Sequence, residues 1–398
     1  MDLSVGTIEV LLLIAAIVAM VARRFRMPYS VGLIIAGIAL SLLHVSPQVQ
    51  LSKELIFTIL LPPLIFEAAL HIHWHELRKD CLVILVLATV GVLVSAGVTT
   101  LGLHYIVNWE WPSALLFSVL IAATDPVSVI SIFKETGQRG RLRFLMEAES
   151  LFNDGTAAAA FTVAVALFLG TNITPLRVVT TALLTIGGGV LSGAAVAIMV
   201  LLLAGRTEDH LVETTLTTVG AYGSFILAQH FQWSGVLATL TAGLILGNVG
   251  PLGALSAKGK EAIESFWEYA AFVGNSFVFL LIGMNGTREK FPKVWAAAMV
   301  AILLVTLGRA ATVYLTLLPF AHSSSRVTPK HQHALFWGGL RGALALALAL
   351  GLPGNLPRRE EIITISFAVV AFSVFIQGLT VVPLLRRWGE LPAHARKS

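Results

Sequence analysis

Charge is scarce in this chain. Asp, Glu, Lys and Arg make up 12% of its 398 residues, while 56% of positions are hydrophobic. Soluble domains carry about 25% charged residues, and the mean hydropathy here is +0.84. A soluble globular fold is excluded on these grounds, and an all-α polytopic membrane protein is expected. Cysteine is nearly absent, and the single Cys81 excludes an internal disulfide. The net charge of +5 is spread over short loops between apolar runs, so no nucleic-acid partner is expected. No basic segment precedes the first apolar run near Val5, and the cluster "RRFR" follows it. That order marks an uncleaved first transmembrane helix with its N-terminus outside, not a signal peptide.

What the chain has in abundance is apolar runs of about 17–25 residues, the length that crosses a bilayer. About thirteen can be placed, at 4–22, 28–44, 53–71, 81–107, 112–134, 148–169, 177–204, 211–230, 233–249, 262–285, 293–319, 331–352 and 361–386. With the N-terminus outside, the inner loops hold 18 Lys and Arg and the outer loops 7. The positive-inside rule then puts the C-terminus in the cytoplasm of a multi-pass protein of the cell (inner) membrane. Two spans carry breakers. The fifth contains "ATDPVSVIS", with Pro126 after Asp125, and the twelfth "WGGLRGALALALALG", with Gly338, Gly339 and Gly342 around Arg341. Both read as interrupted helices. They lie seven spans apart, and an odd offset reverses orientation. Inverted repeats with an ion site where the two broken helices cross are the expected consequence.

Six ionisable residues fall well within spans: Glu67, Asp125, Glu149, Asp154, Arg309 and Arg341. At roughly 2.5–3.5 kcal/mol each they would cost on the order of 15–20 kcal/mol if unpaired. Four acids face two bases, so two acids must bind protons or metal cations. In "MEAESLFNDGTAAAAFTVAV", Met146–Val165, the pairs Glu149/Asn153 and Ser150/Asp154 are spaced i,i+4 and share one helix face. A carboxylate, an amide and a hydroxyl on one face are hard oxygen ligands, suited to Na⁺ and other alkali ions. Glu147 reads as a polar cap at the membrane surface. Thr124 and Asp125 offer similar ligands on the broken fifth span, where Pro126 frees backbone carbonyls. Glu67, in "LPPLIFEAAL", is a third acid in an apolar setting.

At these residues the chain resembles the NhaP-type sodium/proton antiporters of the monovalent cation:proton antiporter-1 family, which also holds the eukaryotic sodium/proton exchangers. The matching stretches are "LPPLIFEAAL", "ATDPVSV", "ESLFNDGTA", "LIGMN" and "TPKHQHALFWGGLRGALALALAL", in family order from span three to span twelve. The resemblance implies one transmembrane antiporter domain over residues 1–398, with spans 1–3 and 7–10 as a dimer domain and spans 4–6 and 11–13 as a core domain. It implies Asp154 as the principal carrier of Na⁺ and H⁺, with Asp125, Thr124, Ser150 and Glu67 completing or supporting the sodium site. Asn153 stands where electrogenic relatives carry a second aspartate, which implies electroneutral one-for-one exchange. Glu149 matches the glutamate that pairs with the span-twelve arginine, here Arg341, and Arg309 matches a supporting core arginine. The expected partners are Na⁺ or Li⁺, H⁺, membrane lipid and a second copy in a homodimer, with no cofactor and no sizeable cytoplasmic tail.

Other signals carry less. The stretch "HIHWHE" holds His71, His73 and His75, a metal cluster or pH modulator in form, on a cytoplasmic interfacial loop anchored by Trp74. The run "GGGVLSGAA" near Gly187 lies inside a span, where helix packing is expected rather than phosphate binding. "NIT" at Asn172 is a bare glycosylation pattern. Three other functions fit the intramembrane acids. An intramembrane aspartyl protease would use Asp125 and Asp154, but its "GxGD" signature is missing. A cation channel would need rings of ligands from several subunits. A K⁺/H⁺ antiporter of the same architecture is the nearest alternative.

Overall fold

The computed structural model describes residues 5–25, 27–43, 52–125, 129, 130, 133, 140–170, 174–250, 253–286, 291–323 and 325–391. Pro126, Arg26, Lys134, Arg139, Asn172, Arg288, Lys290, Arg396 and Lys397 lie outside them. Among the described residues no strand occurs. That follows from the setting. A lipid-embedded backbone must satisfy its own N–H and C=O groups, and a helix does so within one segment.

The helices in chain order are α1 (Val5–Phe25), α2 (Tyr29–Leu42), α3 (Leu55–His71), α4 (Trp74–Val107), α5 (Trp111–Leu120), α6 (Arg141–Leu169) and α7 (Pro175–Ala204). Next comes α8, which is His210–Thr218 continued by a wide turn at Val219–Gly223 into Ser224–His230. Then follow α9 (Gly235–Val249), α10 (Ala257–Gly286), α11 (Phe291–Thr316), α12 (Pro329–Gly338), α13 (Ala343–Leu350) and α14 (Arg359–Trp388). Among the described residues six stretches are long and apolar enough to cross a membrane as single helices, and the bent pair α12–α13 makes a seventh. Helices α2, α3, α5 and α9 are apolar but shorter. The chain is a multi-pass membrane protein.

The chain divides into two compact units, one of Met1–Ser52, Leu82–Ser150 and Ser276–Ser398, the other of Lys53–Cys81 and Leu151–Asn275. In the first unit, helices approach through small residues, as apolar lipid requires where no hydrophobic drive separates protein from solvent. Gly37 of α2 lies against the Leu280 carbonyl of α10, and Gly283 of α10 against the Ile34 carbonyl of α2, so a Cβ on either would overlap backbone. Helix α11 lies along α4, where the Thr312 hydroxyl donates to the Gly91 carbonyl at 2.7 Å. In the second unit, Phe66, Val196, Val200, Leu246, Ile263 and Trp267 form the centre of a buried cluster. The glycine run of α7 packs helices as expected: Gly188 meets Trp233, and Gly189 and Gly193 meet the Ser234 and Ala238 carbonyls.

Helix α6 begins earlier than its apolar pattern suggests. It starts at Arg141, and Glu147 sits within it, bonded to Arg143 at 2.9 Å one turn before. Glu147 is therefore a helix-surface ion pair and not a terminal cap. At 1.5 Å per residue Asp154 lies about 20 Å along a helix of about 43 Å, so the polar face falls at mid-helix.

Candidate ion site

The apolar run expected as the fifth span is not helical throughout. Helix α5 ends at Leu120, and Ile121–Asp125 are non-helical. The run expected as the twelfth is interrupted, with α12 and α13 bent by 42° across Gly339–Gly342. Breaking a helix strands carbonyls and amides that an apolar interior cannot solvate. Several of them are met by specific partners. The Arg341 guanidinium donates to the Ala122 and Ala123 carbonyls at 2.8 and 2.9 Å. The Ser150 hydroxyl, from α6, donates to the Thr124 carbonyl at 2.6 Å. The two interruptions bond directly, because the Asp125 N–H donates to the Leu340 carbonyl at 2.7 Å. Gly342 lies against the Asp125 carboxylate, and a Cβ there would come within 2.6 Å of Asp125 Cγ.

Glu149 is also on α6, and its partner corrects the expected Glu149–Arg341 pair. Arg309 of α11 grips it with two bonds, Nη1 to Oε1 at 2.8 Å and Nη2 to Oε2 at 3.1 Å. The side chains are 5% and 3% exposed. Arg309 Nη2 also donates to the Leu335 carbonyl at 2.7 Å. The physical reason is supply and demand. Arg341 emerges in the break itself, where the orphaned carbonyls of Ala122 and Ala123 are within reach, while Arg309 comes from an intact helix whose own carbonyls are used. A planar guanidinium matches a carboxylate two-pronged, which suits Arg309 to the buried acid. Gly339 makes room for it, since a Cβ there would come within 2.7 Å of Arg309 Cζ.

Thr124, Asp125, Glu149, Ser150, Arg309 and Arg341 are thus gathered in the first unit. Asn153, Asp154 and Glu67 belong to the second. There Asn153 is buried, and Asp154 and Glu67 are partly buried. Glu67 is followed one turn later by His71, whose Nδ1 lies 2.8 Å from the Glu67 carbonyl and 3.5 Å from its carboxylate. His73 and His75 are exposed, and among the described residues no group of three His, Cys, Asp or Glu side chains forms a metal centre.

Two buried polar groups escape a sequence reading. Glu213 of α8 is fully buried, and its carboxylate accepts the N–H and hydroxyl of Ser256, both at 3.0 Å, just before α10. It sits at the start of the span expected at 211–230, where a charge reads as a polar helix end. Ser373 and Gln377 lie in a wide π-type turn of α14 and bond each other at 2.7 Å. Their spacing of four is the only sequence signal, and it is common to any helix.

The model of a known family, described as the transmembrane sodium/hydrogen exchanger, matches residues 10–387. The chain belongs to the sodium/hydrogen exchanger family. Its relatives include the Na(+)/H(+) antiporter ApNhaP of Aphanothece halophytica, 36% identical over 96% of this chain and 74% of that protein. Another is the low-affinity Na(+)/H(+) antiporter NhaS1 of Synechocystis, 39% identical over 89% of this chain and 68% of that protein. The fold is shared with the sodium proton antiporter MjNhaP1 of Methanocaldococcus jannaschii, at a TM-score of 0.75 and 19% identity over 97% of this chain and 96% of that one. The exchanger family is one of transporters, which sets aside the intramembrane protease.

Proposed function

We propose that this exchanger moves Na⁺ (or Li⁺) against H⁺ across a cell membrane, one for one, as a secondary active antiporter serving pH and sodium homeostasis. The observation that carries the proposal is the bond between two interrupted spans at Asp125 N–H and Leu340 C=O. Broken helices meeting in this way are how transporters build ion sites from backbone and carboxylate oxygens. Asp154 is the exchanging carboxylate. It lies one turn beyond Ser150 on α6, and desolvation favours either a bound proton or a bound cation on it over the bare charge. Both cannot be held together, so competition with alternating access gives antiport. Thr124, Asp125, Ser150 and Glu67 support the sodium ion, and the neutral Asn153 leaves one charge to exchange. Glu149 and Arg309 neutralise each other as scaffold. About thirteen spans, N-terminus outside and C-terminus in the cytoplasm, form a core domain of spans 4–6 and 11–13 and a dimer domain of spans 1–3 and 7–10. The sodium in the relatives' names favours Na⁺ over K⁺.

The test is reconstitution in proteoliposomes with an imposed pH gradient, challenged in turn with Li⁺, Na⁺ and K⁺. Dissipation by Na⁺ and Li⁺ is expected. Equal dissipation by K⁺ would overturn the sodium assignment, and none by any cation would overturn antiport.

A further inference from the structure

One peptide unit in the broken twelfth span is held at both ends. Its carbonyl is that of Leu340, which accepts the Asp125 N–H at 2.7 Å. Its amide is that of Arg341, which donates to the Ser373 hydroxyl oxygen at 2.8 Å. Peptide units are planar, so fixing the N–H direction fixes the C=O direction. The Ser373 hydroxyl is itself oriented. Its proton goes to Gln377 Oε1 at 2.7 Å, which leaves oxygen lone pairs for the Arg341 amide. All of these groups are buried or nearly so. The wide turn at Ser373–Gln377 is the kind of helix defect found at functional positions, and here it places both side chains at the break.

We propose that Ser373, oriented by Gln377, is a positioning residue for the ion site, acting through the Leu340–Arg341 peptide plane to hold Asp125. The inference rests on the antiport reading. Ser373 touches no transported ion. It sets the direction of the carbonyl on which the Asp125 backbone hangs, with Gly342 leaving the space the carboxylate takes. Without the hydroxyl the Arg341 amide loses its buried acceptor, and the plane loses one of its two anchors.

The experiment compares wild type, Ser373→Ala, Ser373→Thr and Gln377→Leu, full chain, in proteoliposomes. Apparent KM for Na⁺ and maximal rate are read separately, and amide hydrogen exchange is followed in segments 338–344 and 121–125. Losing a buried hydrogen-bond partner predicts that Ser373→Ala raises KM about tenfold, with faster exchange in both segments. Ser373→Thr keeps the hydroxyl and restores both readouts. Gln377→Leu, which keeps the Ser373 hydroxyl in place, shifts both in the direction of Ser373→Ala, and it carries the test if that variant does not fold. An unchanged KM, or faster exchange confined to 338–344, would overturn the proposal, since a merely local packing role would not reach 121–125. If the wild type itself moves no Na⁺, the antiport reading fails, and coupled exchange in the two segments alone decides the positioning role.

Discussion

Removing either partner of the Glu149–Arg309 pair should be among the most damaging single changes in the protein. The two side chains are 5% and 3% exposed and share bonds of 2.8 and 3.1 Å. Truncating one leaves the other as an uncompensated buried charge, at a cost of about 3–5 kcal/mol. Arg309→Met also strands the Leu335 carbonyl, which adds about 1 kcal/mol. Arg341→Met is damaging for a different reason, because it strips the donors from the Ala122 and Ala123 carbonyls. A double-mutant cycle separates the two. Glu149→Gln with Arg309→Met should show a coupling of roughly 2–3 kcal/mol, since the double variant leaves no lone charge. Glu149→Gln with Arg341→Met should couple by under about 1 kcal/mol, through charge alone. The assay is unfolding of purified protein by SDS titration in mixed micelles, with thermal half-lives as a check, because membrane proteins seldom unfold reversibly on heating. A larger coupling for Glu149 with Arg341 than with Arg309 would refute the pairing and restore the one expected from the sequence.

Other outcomes follow from the same geometry. Asp154→Asn should abolish Na⁺-dependent proton movement while leaving the protein folded, and robust exchange by that variant would end its role as carrier. Gly342→Ala should push on the Asp125 carboxylate and lower transport. Overpacking of about 1–3 kcal/mol is the expected stability loss, and wild-type rates with wild-type stability would show that the contact yields freely. Exchange should gain nothing from a membrane potential, although 100 mV is worth about 2.3 kcal/mol per charge. A shift of the equilibrium Na⁺ gradient under a K⁺–valinomycin potential would mean that a second charge moves, with Glu67 the first suspect. At fixed subsaturating Na⁺ the rate should fall on both sides of a pH optimum, as protons compete below it and the proton-loaded return is starved above it. A rate still rising at high pH with saturating Na⁺ would point to a separate gate such as His71–His75.

Much of this protein is readable one segment at a time. The shortage of charge and the apolar runs determine that it is a helical membrane protein, because the cost of burying charge is paid residue by residue. Gly338, Gly339 and Gly342 mark where a span breaks, because glycine acts on the backbone locally. The i,i+4 spacing of Glu149, Ser150, Asn153 and Asp154 identifies the polar face of α6 for the same reason. Helix α9 follows the apolar run expected at 233–249 closely, with Ser234 as a local cap at its start.

Which group satisfies which is another matter. Glu149 and Arg309 are 160 positions apart, and Arg341 and Ala122 are 219. No local pattern says which arginine takes the carboxylate and which takes the stranded carbonyls. The choice depends on where each guanidinium emerges once the helices are packed. The same holds for the Leu340–Arg341 peptide, held from one side by Asp125 and from the other by Ser373. Sequence alone determined that charges and broken backbone must find partners inside the membrane, because leaving them unmet is too costly. Only the tertiary structure decided the partners, because hydrogen bonds act over about 3 Å and that proximity exists only after folding.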